Sequence, residues 1–338
     1  MARRTAASSY DEGDVRVRPG RGSRPRSKLR PAHADARRAL VIAVDRGRYT
    51  CVVEPDGHTV TAMTARELGR KAVVVGDHVG LVGDASGREG SLARIVRVEQ
   101  RATVLRRTAD DDDPVERVIV ANADQLMIVT AVADPEPRPR LIDRALVAAF
   151  DAGIEPLLCL TKADLADPGP LLATYAPLQV PAVVTRLAPG SPEDVGDVAT
   201  HLLDRVTVLV GHSGVGKSTL VNALVPGADR ATGQVNVVTG RGRHTSTSAV
   251  ALPLPDGGWV IDTPGIRSFG LAHVDPDRLI LAFPDLAAAT DECPRGCTHA
   301  DGAPECGLDA ALAAGRVDPD RLASYRRLLA SRDRQAGD

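Results

Sequence analysis

Nine residues, Gly211-His212-Ser213-Gly214-Val215-Gly216-Lys217-Ser218-Thr219, constrain this chain more than any other feature. They fit the pattern G-x-x-x-x-G-K-[ST], preceded by the apolar run VTVLV (206–210) and continuing into a helical stretch, KSTLVNAL (217–224). The glycines let backbone N–H groups wrap an anion at a helix N-terminus, where the helix dipole favours negative charge. A strand that ends in such a loop and re-enters as a helix belongs to an α/β sheet. Lys217 is expected to reach the β- and γ-phosphates of a nucleotide, and Ser218 to ligand Mg2+.

The flanking sequence agrees. LMIVTAV (126–132), PLLCL (156–160), AVV (182–184) and WVID (259–262) are short apolar runs, with helical stretches such as RLIDRALVAAFDAG (140–153) between several of them. That alternation predicts a largely parallel sheet with helices on its faces. Ahead of it lie five β-rich runs: ALVIAV (39–44), RYTCVVE (48–54), HTVTAM (58–63), VVVGDHVGLV (73–82) and LARIVRV (92–98). They predict a small closed barrel of the OB type, and an SH3-like barrel suits the same pattern. Tyr49 is the single aromatic there, so any RNA contact of the barrel should be electrostatic or by shape rather than by stacking.

Charge separates a further segment. The 338 residues hold 42 Lys and Arg against 44 Asp and Glu, a net of −2 that excludes a uniformly basic nucleic-acid coat. The first 38 residues nevertheless carry eleven basic side chains against four acidic ones, so a +7 arm precedes a −9 body. With Pro, Gly and Ser scattered through it and no apolar stretch, this reads as a disordered basic arm suited to RNA phosphates, not a secretory signal. Lysine is scarce, with Lys28, Lys71, Lys162 and Lys217 the only four. No apolar run approaches the ~18 residues that span a bilayer, so no membrane partner is expected.

Cysteine points to a metal. Cys293-x3-Cys297-x-His299-x6-Cys306 supplies three thiolates and one imidazole within fourteen residues. That is the ligand set of a closed tetrahedral Zn2+ site, and its polar surroundings do not suit core cysteines. Cys51 and Cys159 stand far apart in apolar contexts, and an odd count with one tight cluster indicates a reducing, cytoplasmic setting. The expected division is a basic arm (1–38), a barrel (39–100), a nucleotide-binding domain (101–274) and a helical zinc-binding domain (275–338).

Two further motifs choose the nucleotide. Thr161-Lys162-Ala163-Asp164 follows the run PLLCL as [NT]-K-x-D does in GTPases. Asp164 can accept from the N1–H and exocyclic amine of guanine, a donor pair adenine lacks, while Lys162 lays its stem along the base. Asp262-Thr263-Pro264-Gly265 closes WVID and matches D-x-x-G, with Asp262 toward Mg2+ and the Gly265 N–H toward the γ-phosphate. In ordinary GTPases the base-reading loop comes last, whereas here it precedes the phosphate loop, a circular permutation of the sheet.

In that order, beside a barrel and a cysteine cluster, residues 39 to 330 resemble the ribosome small-subunit-dependent GTPases, bacterial assembly factors. The resemblance implies hydrolysis of GTP to GDP stimulated by the small ribosomal subunit, rRNA binding and a role in late subunit maturation; a monomer is expected. It implies a switch at Gly240-Arg241-Gly242-Arg243-His244-Thr245-Ser246-Thr247, where one of Thr245, Ser246 and Thr247 completes the Mg2+ shell. Ile266 follows Gly265 where Ras-like enzymes carry a water-orienting Gln, and His244 is the expected substitute. Thr161 replaces the usual Asn, which implies loss of an amide that tethers the base loop to the phosphate loop. Val184-Thr185-Arg186 stands where a Ser-Ala guanine-backing element is expected, with Thr185 its counterpart. The permutation also places the D-x-x-G switch a few residues from the zinc module, a short path for nucleotide state to bias its docking. The alternatives are a P-loop ATPase or small-molecule kinase with a structural zinc module, and an RNA-binding protein with a vestigial nucleotide site.

Overall fold

Strand alternation builds the N-terminal barrel. The computed structural model describes residues 33–66, 68, 73–108, 116–186, 195–228, 230–231, 234–235, 249–263, 271 and 274–333. Five strands, β1 (Arg37–Asp45), β2 (Arg48–Val53), β3 (Thr59–Thr64), β4 (His78–Gly83) and β5 (Ala93–Val98), close in the circuit β1-β2-β3-β5-β4-β1. All pairings are antiparallel except β3 with β5. This Greek-key closure is the OB arrangement, which settles the choice between the two barrels. Tyr49, Cys51 and Val53 alternate inward along β2 and meet Val60, Val79, Leu81 and Ile95 in the barrel core. Tyr49 is therefore consumed by packing.

The run at 73–82 becomes a strand only from His78. Its first half is the joint between the barrel and the central sheet. Gly76, at φ +88, donates its N–H to the Val41 carbonyl at 2.9 Å, and a Cβ there would meet the Ala121 carbonyl oxygen at 2.0 Å. The fully buried Asp77 accepts two bonds from Arg101, at 2.7 and 2.8 Å, and one from the Val74 N–H at 2.8 Å. Val75 bridges to Val120 in an antiparallel hairpin, β6 (Val104–Thr108) and β7 (Glu116–Ala121), that hydrophobic periodicity does not reveal. The acidic stretch Asp110 to Asp113 between its strands lies outside the described residues.

The central sheet occupies the middle of the chain. Its elements are β8 (Gln125–Ala131), α1 (Pro139–Ala152), β9 (Glu155–Thr161), α2 (Gly169–Tyr175), β10 (Ala182–Val184), α3 (Gly196–Leu202), β11 (Val206–Val210), α4 (Lys217–Leu224), the short pair β12 (Arg230–Ala231) and β13 (Gln234–Val235), β14 (Val250–Pro253) and β15 (Trp259–Asp262). Strands run parallel in the order β10-β9-β8-β11-β15, and β14 adds antiparallel to β15. Every residue of β8 is buried, as expected of a strand with helices on both faces. Pro139 opens α1, where a missing N–H costs nothing, and Gly153 at φ +66 closes it. One rung, Ala43 opposite Val250, joins β14 to β1, so sheet and barrel are continuous.

Four helices, α5 (Pro276–Leu279), α6 (Pro284–Ala287), α7 (Gly307–Ala313) and α8 (Pro319–Asp333), form the C-terminal module. Their apolar residues share one core with the sheet rather than building their own. Phe283 packs edge-on against Phe150 of α1 at 5.2 Å and Tyr325 of α8 at 5.4 Å between ring centroids. Arg327 of α8 lies 5.1 Å above the Tyr175 ring and donates to Asp143 of α1 at 3.3 Å. No described helix is long and apolar enough to cross a membrane.

Candidate functional site

Three strand ends converge. β9 ends at Thr161, β11 at Val210 and β15 at Asp262, and all three strands point the same way. The carboxyl end of a parallel sheet is where such folds bind ligands. A cavity of about 500 Å3 opens at the opposite end, near Gln125, Glu155 and Arg205, and is remote from these loops.

Between β11 and α4 the phosphate loop takes the form its glycines require. Gly211, Gly214 and Gly216 have φ of +154, +85 and +93. At Gly211 a Cβ would meet the Val129 carbonyl oxygen at 2.2 Å, so only glycine lets the loop leave the sheet here. Gly216 precedes α4 and no side chain among the described residues caps that helix, which leaves its first N–H groups for an anion. His212, Gly216, Ser218 and Thr219 are partly exposed, Ser213 and Gly214 exposed, and Val215 is buried under the loop. The Lys217 ammonium folds back onto the carbonyls of Gly211 and His212, the latter at 2.9 Å. Burial lowers its pKa and the Asp262 carboxylate opposes that shift. An ammonium held by two carbonyls in a site that penalises its charge is poised for a stronger anionic partner. Asp262 is itself buried, beside Thr263, whose hydroxyl donates to the Leu209 carbonyl at 2.8 Å.

The base loop lies directly against the phosphate loop. Thr161 is buried and its hydroxyl donates to the Val215 carbonyl at 2.6 Å. This overturns the expectation that Thr in place of Asn gives up the tether between the two loops, because a hydroxyl on this shorter side chain reaches the carbonyl from the strand end. Lys162, at φ +57, turns the chain and anchors its ammonium on the Asp134 carbonyl. The Ala163 N–H donates to the Thr185 carbonyl at 3.3 Å, and Asp164 is exposed. Thr185 thus sits beside the base loop, fully buried, its hydroxyl without a hydrogen-bond partner among the described residues. His244, Thr245, Ser246, Thr247, Pro264, Gly265 and Ile266 lie outside the described residues. Sequence reading misses the Asp134 anchor, since nothing in a D-P turn signals a partner 28 residues on.

The cysteine cluster is the second site. One ligand atom from each of Cys293, Cys297, His299 and Cys306 lies within 4.8 Å of the others. His299 presents Nδ1, which is 3.6 Å from Cys293 Sγ and 4.0 Å from Cys306 Sγ. The Gly307 N–H donates to Cys293 Sγ at 3.1 Å, a contact that favours thiolate. A Cβ at Gly307 would meet the Ala289 carbonyl oxygen at 2.5 Å, so this approach requires glycine. Burial lowers the His299 pKa, which favours the neutral imidazole a metal needs. Three sulfurs and one nitrogen converging, with no fifth donor among the described residues, fit a tetrahedral Zn2+ ion.

Known proteins are similar to this chain. Residues 98–272 match the family model described as RsgA GTPase. A Pseudomonas aeruginosa (strain LESB58) protein named small ribosomal subunit biogenesis GTPase RsgA is 41% identical over 267 residues, covering 77% of this chain and 76% of its own. A Chlorobaculum parvum protein of the same name is 37% identical over 283 residues, covering 81% and 90%. The crystal structure of YjeQ from Thermotoga maritima aligns with a TM-score of 0.62 at 26% identity, over 88% of this chain and 98% of that one. YloQ, described as a circularly permuted GTPase, aligns with a TM-score of 0.62 at 22% identity over 90% and 98%, a likeness of fold alone. With its base loop ahead of its phosphate loop and both on one sheet end, this chain is a circularly permuted GTPase and belongs to the RsgA GTPase family.

Proposed function

We propose that this GTPase acts in the cytoplasm, as a monomer, in late assembly of the small ribosomal subunit, where the subunit stimulates hydrolysis and nucleotide state gates binding to rRNA. The observation that carries this reading is the junction of base loop and phosphate loop through Thr161 and Val215, which supports a guanine site. The names of the relatives support the ribosomal setting.

In this reading the N–H groups of residues 211–219 cradle the phosphates and Lys217 leaves its carbonyl partners for the β- and γ-phosphates. Asp164 accepts from the guanine edge and Lys162 lies along the ring. Ser218 and Asp262, with Thr245, Ser246 or Thr247, would hold Mg2+, which when bound neutralises charge between the phosphates. Gly265 meets the γ-phosphate. His244 positions the attacking water when the subunit is bound. Cys293, Cys297, His299 and Cys306 would hold Zn2+, which supplies folding free energy to a module with little core of its own. The four-part division at residues 38, 100 and 274 is part of the same proposal.

GTP turnover with and without purified small subunits tests the reading. Strong stimulation is expected, and equal rates would overturn it. Asp164→Asn should shift preference away from GTP, and His244→Ala should keep GTP binding while stimulated turnover is lost. Unchanged preference in the first variant would instead favour an ATPase or kinase.

A further inference from the structure

Guanine offers two edges to a protein. N1–H and the 2-amino group are donors that suit the Asp164 carboxylate, whereas N7 is an acceptor and needs an N–H or O–H from the protein. With the first edge at Asp164, the imidazole edge turns back toward the phosphate loop, where Thr161 lies against Val215 and Gly216.

Among the described residues, the donors of the base loop itself, Thr161 to Ala163, are already committed. Thr161 has one hydroxyl hydrogen, and the 2.6 Å bond to the Val215 carbonyl takes it. A second carbonyl, of Thr130, lies 3.3 Å from the same oxygen, so rotation of the hydroxyl only exchanges one protein acceptor for another. Thr161 is 1% exposed, which denies it a water to relay through. The Ala163 N–H points to the Thr185 carbonyl and the Lys162 ammonium to the Asp134 carbonyl. Two lone-pair acceptors, N7 and Thr161 Oγ1, would face each other without a hydrogen between them.

We infer that this chain selects guanine through Asp164 without a donor to N7 from its base loop, and that Thr161 is the specificity-determining residue responsible. The inference rests on the guanine site proposed above. An Asn at this position would carry two N–H groups, one for the Val215 carbonyl and a second for N7. Threonine keeps the tether between the loops and gives up the purine contact. The base site then discriminates by its 2-amino and N1 face alone.

The full chain, loaded with zinc, tests this by competition against a ribose-labelled fluorescent GDP. Expected is a Kd for 7-deaza-GDP within about twofold of that for GDP, while inosine diphosphate, lacking the 2-amino group, binds at least ~10-fold more weakly. Thr161→Asn should raise the ratio of 7-deaza-GDP to GDP to about 3- to 10-fold, the span of one neutral hydrogen bond. Thr161→Ser, which keeps the hydroxyl, should leave the ratio as in the parent and decides the matter should the Asn variant fail to fold. A ratio above about threefold in the parent chain, with GDP still preferred over ADP, overturns the inference alone. Failure to prefer GDP over ADP overturns the guanine site and the inference together.

Discussion

The Thr161 hydroxyl and the Val215 carbonyl, 54 residues apart in sequence, meet in a buried hydrogen bond of 2.6 Å that fixes the base loop against the phosphate loop. Thr161→Val keeps the shape and deletes the donor. It leaves a buried carbonyl unsatisfied, at about 1–3 kcal/mol. Expected are a lower urea midpoint and GDP binding weaker by about tenfold, from loss of loop preorganisation. Parent-like GDP affinity would show that the tether plays no part in binding.

Gly307 is the tightest point of the metal site. Gly307→Ala must push its Cβ off the Ala289 carbonyl and so draw the Gly307 N–H away from Cys293 Sγ. Zinc affinity should fall about 10- to 100-fold, the usual cost of disturbing a ligand's hydrogen-bond partner. Competition with a chromophoric chelator reads this directly, and an unchanged affinity would count against the role given to that N–H.

Burial pushes the Cys51 and Cys159 thiols up to about 12, so neither supplies thiolate near neutral pH. Titration with a thiol reagent near neutral pH should therefore separate two classes. Cys293, Cys297 and Cys306 should react after zinc is chelated, whereas Cys51 and Cys159 should wait for denaturant. Five equally fast thiols after chelation would contradict the packing described.

Asp143 and Arg327 join α1 to α8. Burial raises the Asp143 carboxyl, and Arg327 pulls it back down. A carboxyl raised in the folded state costs stability while ionised, and that cost is relieved as pH falls through its range. Arg327→Met removes the opposing charge, raising the carboxyl further. The variant should lose about 2–3 kcal/mol at mildly alkaline pH, allowing for partial exposure of the Arg327 side chain, and less at mildly acidic pH. Paired urea melts under the two conditions check this, and a deficit that grows on acidification would reverse the sign.

Much of the molecule is legible in its sequence. Periodicity locates α1 and α4, read from the stretches at 140–153 and 217–224, because each carries an apolar face. The β6–β7 hairpin escapes it because Arg106, Arg107, Glu116 and Arg117 interrupt the apolar residues. Residues 73–77 read as strand because Val73, Val74 and Val75 favour β structure, yet Asp77 is held by Arg101 from beyond the barrel and bends the segment. The nucleotide motifs are visible as short strings with fixed chemistry. What a string cannot carry is which carbonyl a hydroxyl meets, and the tether at Thr161 is hidden from sequence for that reason.

The rung between Ala43 and Val250 has a consequence for solubility. A sheet that ends on an unpaired strand offers its backbone to the next molecule, and natural proteins cover or blunt such edges. Here the barrel meets that edge, its β1 pairing with β14 at the one rung where permutation would otherwise leave the strand bare. A nucleotide-binding domain cut away from residues 35–100 would keep every phosphate-loop residue and still expose a strand rich in Val, Ala and Leu. The barrel is thus also a stopper against edge-to-edge association, and an excised central domain is expected to aggregate where the intact chain stays dispersed.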